Sequence, residues 1–286
     1  MKGYDVLGDI ETVRELLGLS ESELAEKIGV SPPEISRWKS GLHKISKEST
    51  ERFYSFAYDS GISLNRIKAQ IFRDRYEKKG VKLLFHGAKS GIEGRLSLKC
   101  SRAGNDFGQG FYLGERLEQA AMFVAAYKAS SIYCMSLAPK GLRREEYSVD
   151  TEWMLSIAYF RGRLSEYANT PLIKKLAQRA ENADYIVAPI ADNRMFELID
   201  SFAYGELTDA QCRACLSATD LGMQYIIKTE RALGCLKIHE QMYLCEEEKR
   251  DYIARRKEEI KISQDKVRLA RREYRGEGKY IEEIFA

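Results

Sequence analysis

Apolar positions in the first quarter of the chain recur at helical spacing in short bursts, each bounded by a capping residue or a glycine. The pattern predicts a helix over 11–17 and a second one opened by Ser20 as N-cap, with Glu23 three residues on to complete a capping box. Leu24, Ala25 and Ile28 form its inward face, and Gly29 stops it. Ser31 caps a third helix with Pro32 at its first position, where the missing N–H costs nothing. Ile35 and Trp38 face inward and Gly41 ends it; helices follow over 47–59 and 64–77, and YEKKG (76–80) reads as a charged link. The pattern then changes. Leu83-Leu84-Phe85 is a short apolar run stopped by His86-Gly87, which predicts a buried strand. A polar, glycine-rich passage leads through Asp106-Phe107-Gly108-Gln109-Gly110 into a second strand at Phe111-Tyr112-Leu113. Helical spacing of Leu117, Ala120, Ala121, Val124 and Ala125 predicts a helix over 116–128. Further strands are predicted at 132–137, 184–190 and 224–229, and helices over 148–161, 172–181 and 209–218. From His239 onward the sequence predicts a charge-laden helix, in which Ile253, Ile260, Val267 and Tyr274 recur every seven residues. The companion positions Arg256, Ser263 and Ala270 supply no second apolar stripe, so this helix is expected to pack one face on the domain or on a partner protein rather than form a coiled coil. The short apolar end at 280–285 is expected to dock in the same way.

The segment LSESELAEKIGVSPPEISRWKSG (19–41) resembles the helix-turn-helix of phage-repressor type. The resemblance places Ala25 in the tight contact, Gly29 in the turn, and 32–40 on the recognition helix. Base reading in such a helix falls to its first exposed residues and one five positions on, here Pro32, Pro33 and Arg37. Prolines offer no side-chain donor or acceptor, so the reading falls mainly on Arg37, with Glu34 beside it. Lys39, Ser40, His43 and Lys44 are candidates for phosphate contact, which positions without specifying. The competing reading is a helical bundle recruited for protein binding or dimerisation; the near balance of acidic and basic residues in this region weakens the case for DNA, but DNA binding stays the leading reading.

In the second region, His86-Gly87 at a strand and Gly108-Gln109-Gly110-Phe111-Tyr112 before a helix resemble the His-Tyr branch of the ADP-ribosyltransferase superfamily, which includes diphtheria-type toxins and poly(ADP-ribose) polymerases. The similarity extends over roughly 81–237. This region also resembles an uncharacterised bacterial domain family with His-Gly, Asp-Phe-Gly-x-Gly-Phe-Tyr and a late glutamine. The resemblance implies that NAD is the substrate, with His86 on a ribose and the Gly87 backbone on the nicotinamide amide. Gly108 and Gly110 let a planar ligand approach the backbone, and Tyr112 stacks on the nicotinamide ring. Phe123 falls where the family has a second stacking aromatic, although core packing is an equally good reading of it; Ala120 stands where the family often has a serine. The third active-site position, usually glutamate, falls on Gln224, whose amide can bond a ribose hydroxyl but cannot take a proton or offset a cation with a full charge. Glu230 is the fallback. Taken alone, His86 is a structural hydrogen-bonder, Tyr112 a core aromatic and Gln224 a surface residue opening a strand. Asp106 either supports the turn or faces the cleft.

These resemblances imply an α+β chain. It would have an N-terminal all-α helix-turn-helix domain (1–78), an ADP-ribosyltransferase-like split β-sheet domain with flanking helices (79–238), and a charged C-terminal helical extension (239–286). The expected function is NAD-dependent mono-ADP-ribosyl transfer by a toxin–antitoxin or phage-defence effector, with operator DNA and a small antitoxin-like protein as further partners and a homodimer as the usual repressor-type assembly. Two alternatives stand beside it: a non-catalytic transcription regulator that senses NAD or another nucleotide, and an NAD glycohydrolase in which water replaces the acceptor.

Composition changes this picture little. In 286 residues, 46 basic side chains nearly balance 43 acidic ones, and the net charge of +3 makes no global case for nucleic acid. No apolar run reaches the ~18 residues of a membrane span, and the N-terminus lacks a signal peptide's apolar core, so a cytoplasmic protein without membrane contact is expected. Cys212 and Cys215 are spaced C-x-x-C without a second pair or a histidine at zinc spacing, so the six cysteines are expected to be reduced packing residues and no metal is expected. The glycines at 108, 110 and 114 precede a strand and make no dinucleotide fingerprint, 106–108 has no kinase companions, and 276–279 is no phosphate loop.

Overall fold

The chain's elements follow from its capping and turn residues, and the computed structural model describes them for residues 3–191, 193–218 and 222–286. Five helices come first: α1 (Val6–Leu17), α2 (Glu21–Lys27), α3 (Pro32–Lys39), α4 (Lys47–Asp59) and α5 (Leu64–Tyr76). Next are β1 (Lys82–Ala88), β2 (Phe111–Gly114), α6 (Leu117–Val124), β3 (Ser131–Leu137), β4 (Arg144–Glu146), α7 (Thr151–Phe160) and α8 (Pro171–Glu181). The chain continues through β5 (Tyr185–Pro189), α9 (Asn193–Ala203), α10 (Asp209–Ser217), β6 (Met223–Ile227), α11 (Glu230–Leu233), β7 (Leu236–Tyr243), α12 (Glu246–Glu273) and α13 (Ile281–Phe285). The fold is α+β, with a helical N-terminal region followed by strands and flanking helices. It divides into two compact units, neither of them one continuous stretch.

The first unit comprises Met1–Gly94, Leu117–Ser136 and Ile238–Arg255. Ser20 accepts from the Glu23 amide at 3.2 Å while Glu23 accepts from the Ser20 amide at 2.8 Å, so the predicted capping box is formed. Ser31 occupies the N-cap of α3 as expected but makes no side-chain cap bond. Ile10, Leu24, Ala25, Ile35, Trp38 and Phe53 close a helical core, on which Tyr243 and Cys245 also pack. Beneath it lies a polar cluster. Tyr54 donates to the buried Asp9 at 2.5 Å, Lys68 pairs with both Asp9 and Glu240, and Asn65 donates to the Tyr243 carbonyl at 2.7 Å and to Glu248 at 2.9 Å. The strands of this unit are ordered β1-β3-β7.

Three sequence expectations are corrected here. Residues 236–243 form β7, so the charged helix expected from His239 begins at Glu246. β7 ends the strand order, and an edge strand tolerates the polar residues that made this stretch read as helix. His86-Gly87 does not end β1, which runs on to Ala88. The helix expected over 116–128 stops at Val124.

The second unit comprises Arg95–Arg116, Leu137–Lys237 and Arg256–Ala286. Its strands are ordered β4-β5-β6-β2, with β4 parallel to β5 and the β5–β6 and β6–β2 pairs antiparallel. Trp153, Ile157, Ile186, Phe202 and Ile226 are fully buried in its core. The C-terminal apolar end docks as expected: Ile281 of α13 is buried in that core, and Phe285 stacks on Tyr167 with ring centroids 4.1 Å apart. In the part of α12 that belongs to this unit, from Arg256 on, the buried positions are Ser263 and Ala270, the companions of the heptad stripe, while Ile262 and Leu269 are exposed.

Candidate functional site

In the second unit the glycine turn and two strands bring together Asp106, Gly108, Gly110, Tyr112 and Gln224, while His86, Gly87 and Phe123 belong to the first unit. Gly108 adopts φ +70°, the left-handed conformation that an L side chain resists. A Cβ on Gly110 would stand 2.8 Å from both Ile226 Cγ2 and the Ile227 carbonyl, so only glycine lets the turn lie against β6. Tyr112 pairs with Ile226 and Gly114 with Gln224 in the β2–β6 register. Opposed residues of an antiparallel pair share a face, and so do residues two apart, so Tyr112 and Gln224 project from the same side. The Tyr112 hydroxyl donates to the Gly108 carbonyl at 2.7 Å and accepts from the Phe107 amide at 3.2 Å. Burial and the neighbouring Asp106 carboxylate hold that phenol well above its usual range.

Beneath the turn, Asp106 is buried and fully engaged. Its Oδ1 accepts from Arg161 Nε at 3.0 Å and Nη2 at 2.5 Å, and its Oδ2 accepts from Gln224 Nε2 at 2.8 Å and the Ala191 amide at 3.3 Å. Gln224 Nε2 also donates to the Pro189 carbonyl at 3.1 Å. The Arg161 guanidinium lies 4.0 Å over the Phe196 ring and donates to the Ala191 carbonyl at 3.0 Å. Lys228 Nζ pins the other side of the turn, donating to the Phe107 and Gln109 carbonyls at 2.6 and 2.8 Å, and burial lowers its pKa. Asp106 therefore supports the turn, and Gln224 is a buried network member rather than a surface strand opener. Sequence reasoning missed Arg161 and Lys228. A cation closing the apolar helix α7 was the one available signal for Arg161; nothing in the sequence marks Lys228.

In the first unit, β1 carries His86 and Gly87. A Cβ at Gly87 would meet the Ala120 carbonyl at 2.6 Å and Val124 Cγ1 at 2.8 Å, so this glycine admits α6 against the strand. His86 is half-buried. Phe123, read from sequence as either stacking wall or core, is 59% exposed on α6 and so is not core. Lys89 Nζ lies 5.8 Å from the centroid of Phe123 and 4.6 Å from that of the partly exposed Tyr127.

Also in the first unit, α3 presents Pro32, Pro33, Ser36, Arg37, Lys39 and Ser40 to solvent. Arg37 pairs with Glu34 at 3.4 Å, and His43 Nδ1 meets the same carboxylate at 2.9 Å; the His43 contact is the main reason its pKa is lowered. Lys39 is engaged by Glu11 at 2.5 Å and by Glu21, so its charge is partly met within the protein. Ser40 Oγ donates to the Arg37 carbonyl at 3.1 Å, and Lys44 is exposed. Among the described residues no three His, Cys, Asp or Glu side chains are grouped to hold a metal ion.

Comparison with known families gives two matches. Residues 82–238 match a family described as a protein of unknown function (DUF3990), and residues 10–49 match the helix-turn-helix family. No curated protein and no solved structure matches the chain.

Proposed function

The chain belongs to the DUF3990 family of unknown function through residues 82–238, and we propose that it is an NAD-dependent mono-ADP-ribosyltransferase whose N-terminal helix-turn-helix binds DNA. The observation that carries the enzymatic reading is the shared face of Tyr112 and Gln224 beside a glycine turn whose positions 108 and 110 admit no side chain. A planar ring and a fixed polar group beside a turn without side chains suit a nicotinamide riboside, as the resemblance to the His-Tyr transferases implies. In this reaction the bond between the ribose anomeric carbon and nicotinamide breaks and nicotinamide leaves neutral. The acceptor's nucleophilic atom takes the carbon and its proton passes to solvent. Positioned dipoles around the developing oxocarbenium charge supply the main acceleration. Gln224 cannot act as a base, which favours a single transfer to an acceptor that needs little deprotonation over polymer growth.

The test is incubation of the full chain with adenylate-labelled NAD, with and without cell lysate and DNA, beside His86→Ala. Free nicotinamide with label on protein or nucleic acid is expected. His86→Ala should lose that activity while keeping its melting profile; undiminished activity would remove the assignment. A second reading, a regulator that senses NAD without consuming it, is favoured by the commitment of Gln224 to a buried network in place of an acid. Binding without turnover would select it.

A further inference from the structure

Gln224 has neighbours of one kind only on its amide nitrogen: the Asp106 carboxylate at 2.8 Å and the Pro189 carbonyl at 3.1 Å. Both are acceptors, so the amide has one tenable orientation, since the flipped form would set its oxygen against two acceptor oxygens. Asp106 is itself immobile, with Oδ1 clamped by two Arg161 nitrogens and Oδ2 held by the Ala191 amide, at 5% exposure. We propose that Asp106, seated by Arg161, is a positioning residue that locks the Gln224 amide with both hydrogens inward, so that its carbonyl oxygen is the end offered to ligand, as an acceptor for a ribose hydroxyl. The inference rests on the transferase reading for the ligand's identity and on the geometry alone for the lock.

The lock also explains why glutamine stands where a carboxylate is the usual residue. A second carboxylate there would face the Asp106 carboxylate and a carbonyl at hydrogen-bonding distance, in a site 7% exposed. Such a group takes up a proton to relieve the repulsion. Glutamine has the donor that this corner demands at every pH and keeps an acceptor on its other end.

The experiment uses the full chain with Gln224→Glu, Asp106→Asn and the double substitution, each first checked for an unchanged melting profile. The Gln224 side-chain amide is identified in a nitrogen–proton correlation spectrum as the pair that disappears in Gln224→Glu. In the wild type its two protons should exchange slowly with deuterated water, and Asp106→Asn, which turns a donor toward the amide, should speed that exchange at least tenfold. NAD affinity is then measured by calorimetry from pH 5.5 to 8. Each single variant should bind about tenfold more weakly at pH 7.5, the scale of one lost hydrogen bond left unpaired. Gln224→Glu should recover as the pH falls, and the double variant, which pairs the new amide with the new carboxylate, should bind better than either single variant. Additive losses without rescue, or a Gln224→Glu protein that binds NAD as well as wild type across the whole range, would overturn the proposal. A wild type that ignores NAD removes the transferase reading and the ribose contact with it. Slow exchange that depends on Asp106 would then still establish the lock, and fast exchange would remove that too.

Discussion

Single residues in this protein are fixed by what stands next to them, and Glu248 shows how far that reaches. It is buried in the first unit, accepts from Asn65 at 2.9 Å, and lies within the fields of Arg66 and Asp251. Burial outweighs the Asn65 bond and pushes its carboxyl up to about 7, against 4.5 for the free side chain. The folded pKa is the raised one, so the stability that the neutral carboxyl contributes is complete below about 4.5 and is lost as pH rises through about 7. At 1.36 kcal/mol per unit the loss is about 3 kcal/mol. Urea denaturation across pH 5–8 should therefore show stability falling toward neutrality. Glu248→Gln keeps the acceptor for Asn65 and cannot ionise, so it should flatten that fall and raise the midpoint at pH 8; an unchanged pH profile would refute the assignment. Gly87 makes the same point without titration, because the approach of α6 requires glycine whether or not a ligand uses its backbone.

At the scale of elements, local chemistry decides most boundaries. Ser20→Ala removes the side-chain half of the capping box on α2, the Oγ that accepts from the Glu23 amide, while the backbone amide at position 20 still donates to Glu23; it should lower stability by about 1 kcal/mol, read as a lower thermal midpoint. A Ser31→Ala change should cost less, because Ser31 makes no side-chain cap bond. These caps, the buried faces of α2 and α3, and the strands at 132–137 and 184–190 were legible in the sequence because their signals lie within a few residues of one another. β7 was not: Lys237, Glu240 and Gln241 interrupt its apolar positions, and its strand state depends on neighbours distant in sequence. The candidate site divides the same way. The glycines around 108 and the tyrosine after them form a local motif. The burial of Gln224 depends on Asp106, 118 positions away, and the clamp on Asp106 depends on Arg161, 55 positions on, so no window of sequence contains them.

For the whole molecule, a net charge of +3 spread over 286 residues leaves DNA affinity to a few local cations. No helix among the described residues is long and apolar enough to cross a membrane. On α3, cations that neutralise phosphates in solution must first be released from the protein's own carboxylates. Lys39 is held by Glu11 and Glu21, which raise its pKa, whereas Lys44 is exposed. Because each phosphate contact adds about 0.9 to the slope of log affinity against log salt, Lys44→Ala should reduce that slope by about 1. Lys39→Ala should change it by much less, since the ion pairs that Lys39 must break to reach a phosphate offset the new interaction. Arg37→Ala should instead weaken binding to a selected site while leaving affinity for random sequence nearly unchanged, as expected of a base-reading side chain. Titrations of fluorescent duplexes at several salt concentrations would measure all three, with His86→Ala as a control that should keep wild-type DNA affinity. An unchanged slope for Lys44→Ala together with unchanged selected-site affinity for Arg37→Ala would mean that α3 and the loop after it do not face DNA, and would turn the helix-turn-helix region into a protein-binding module.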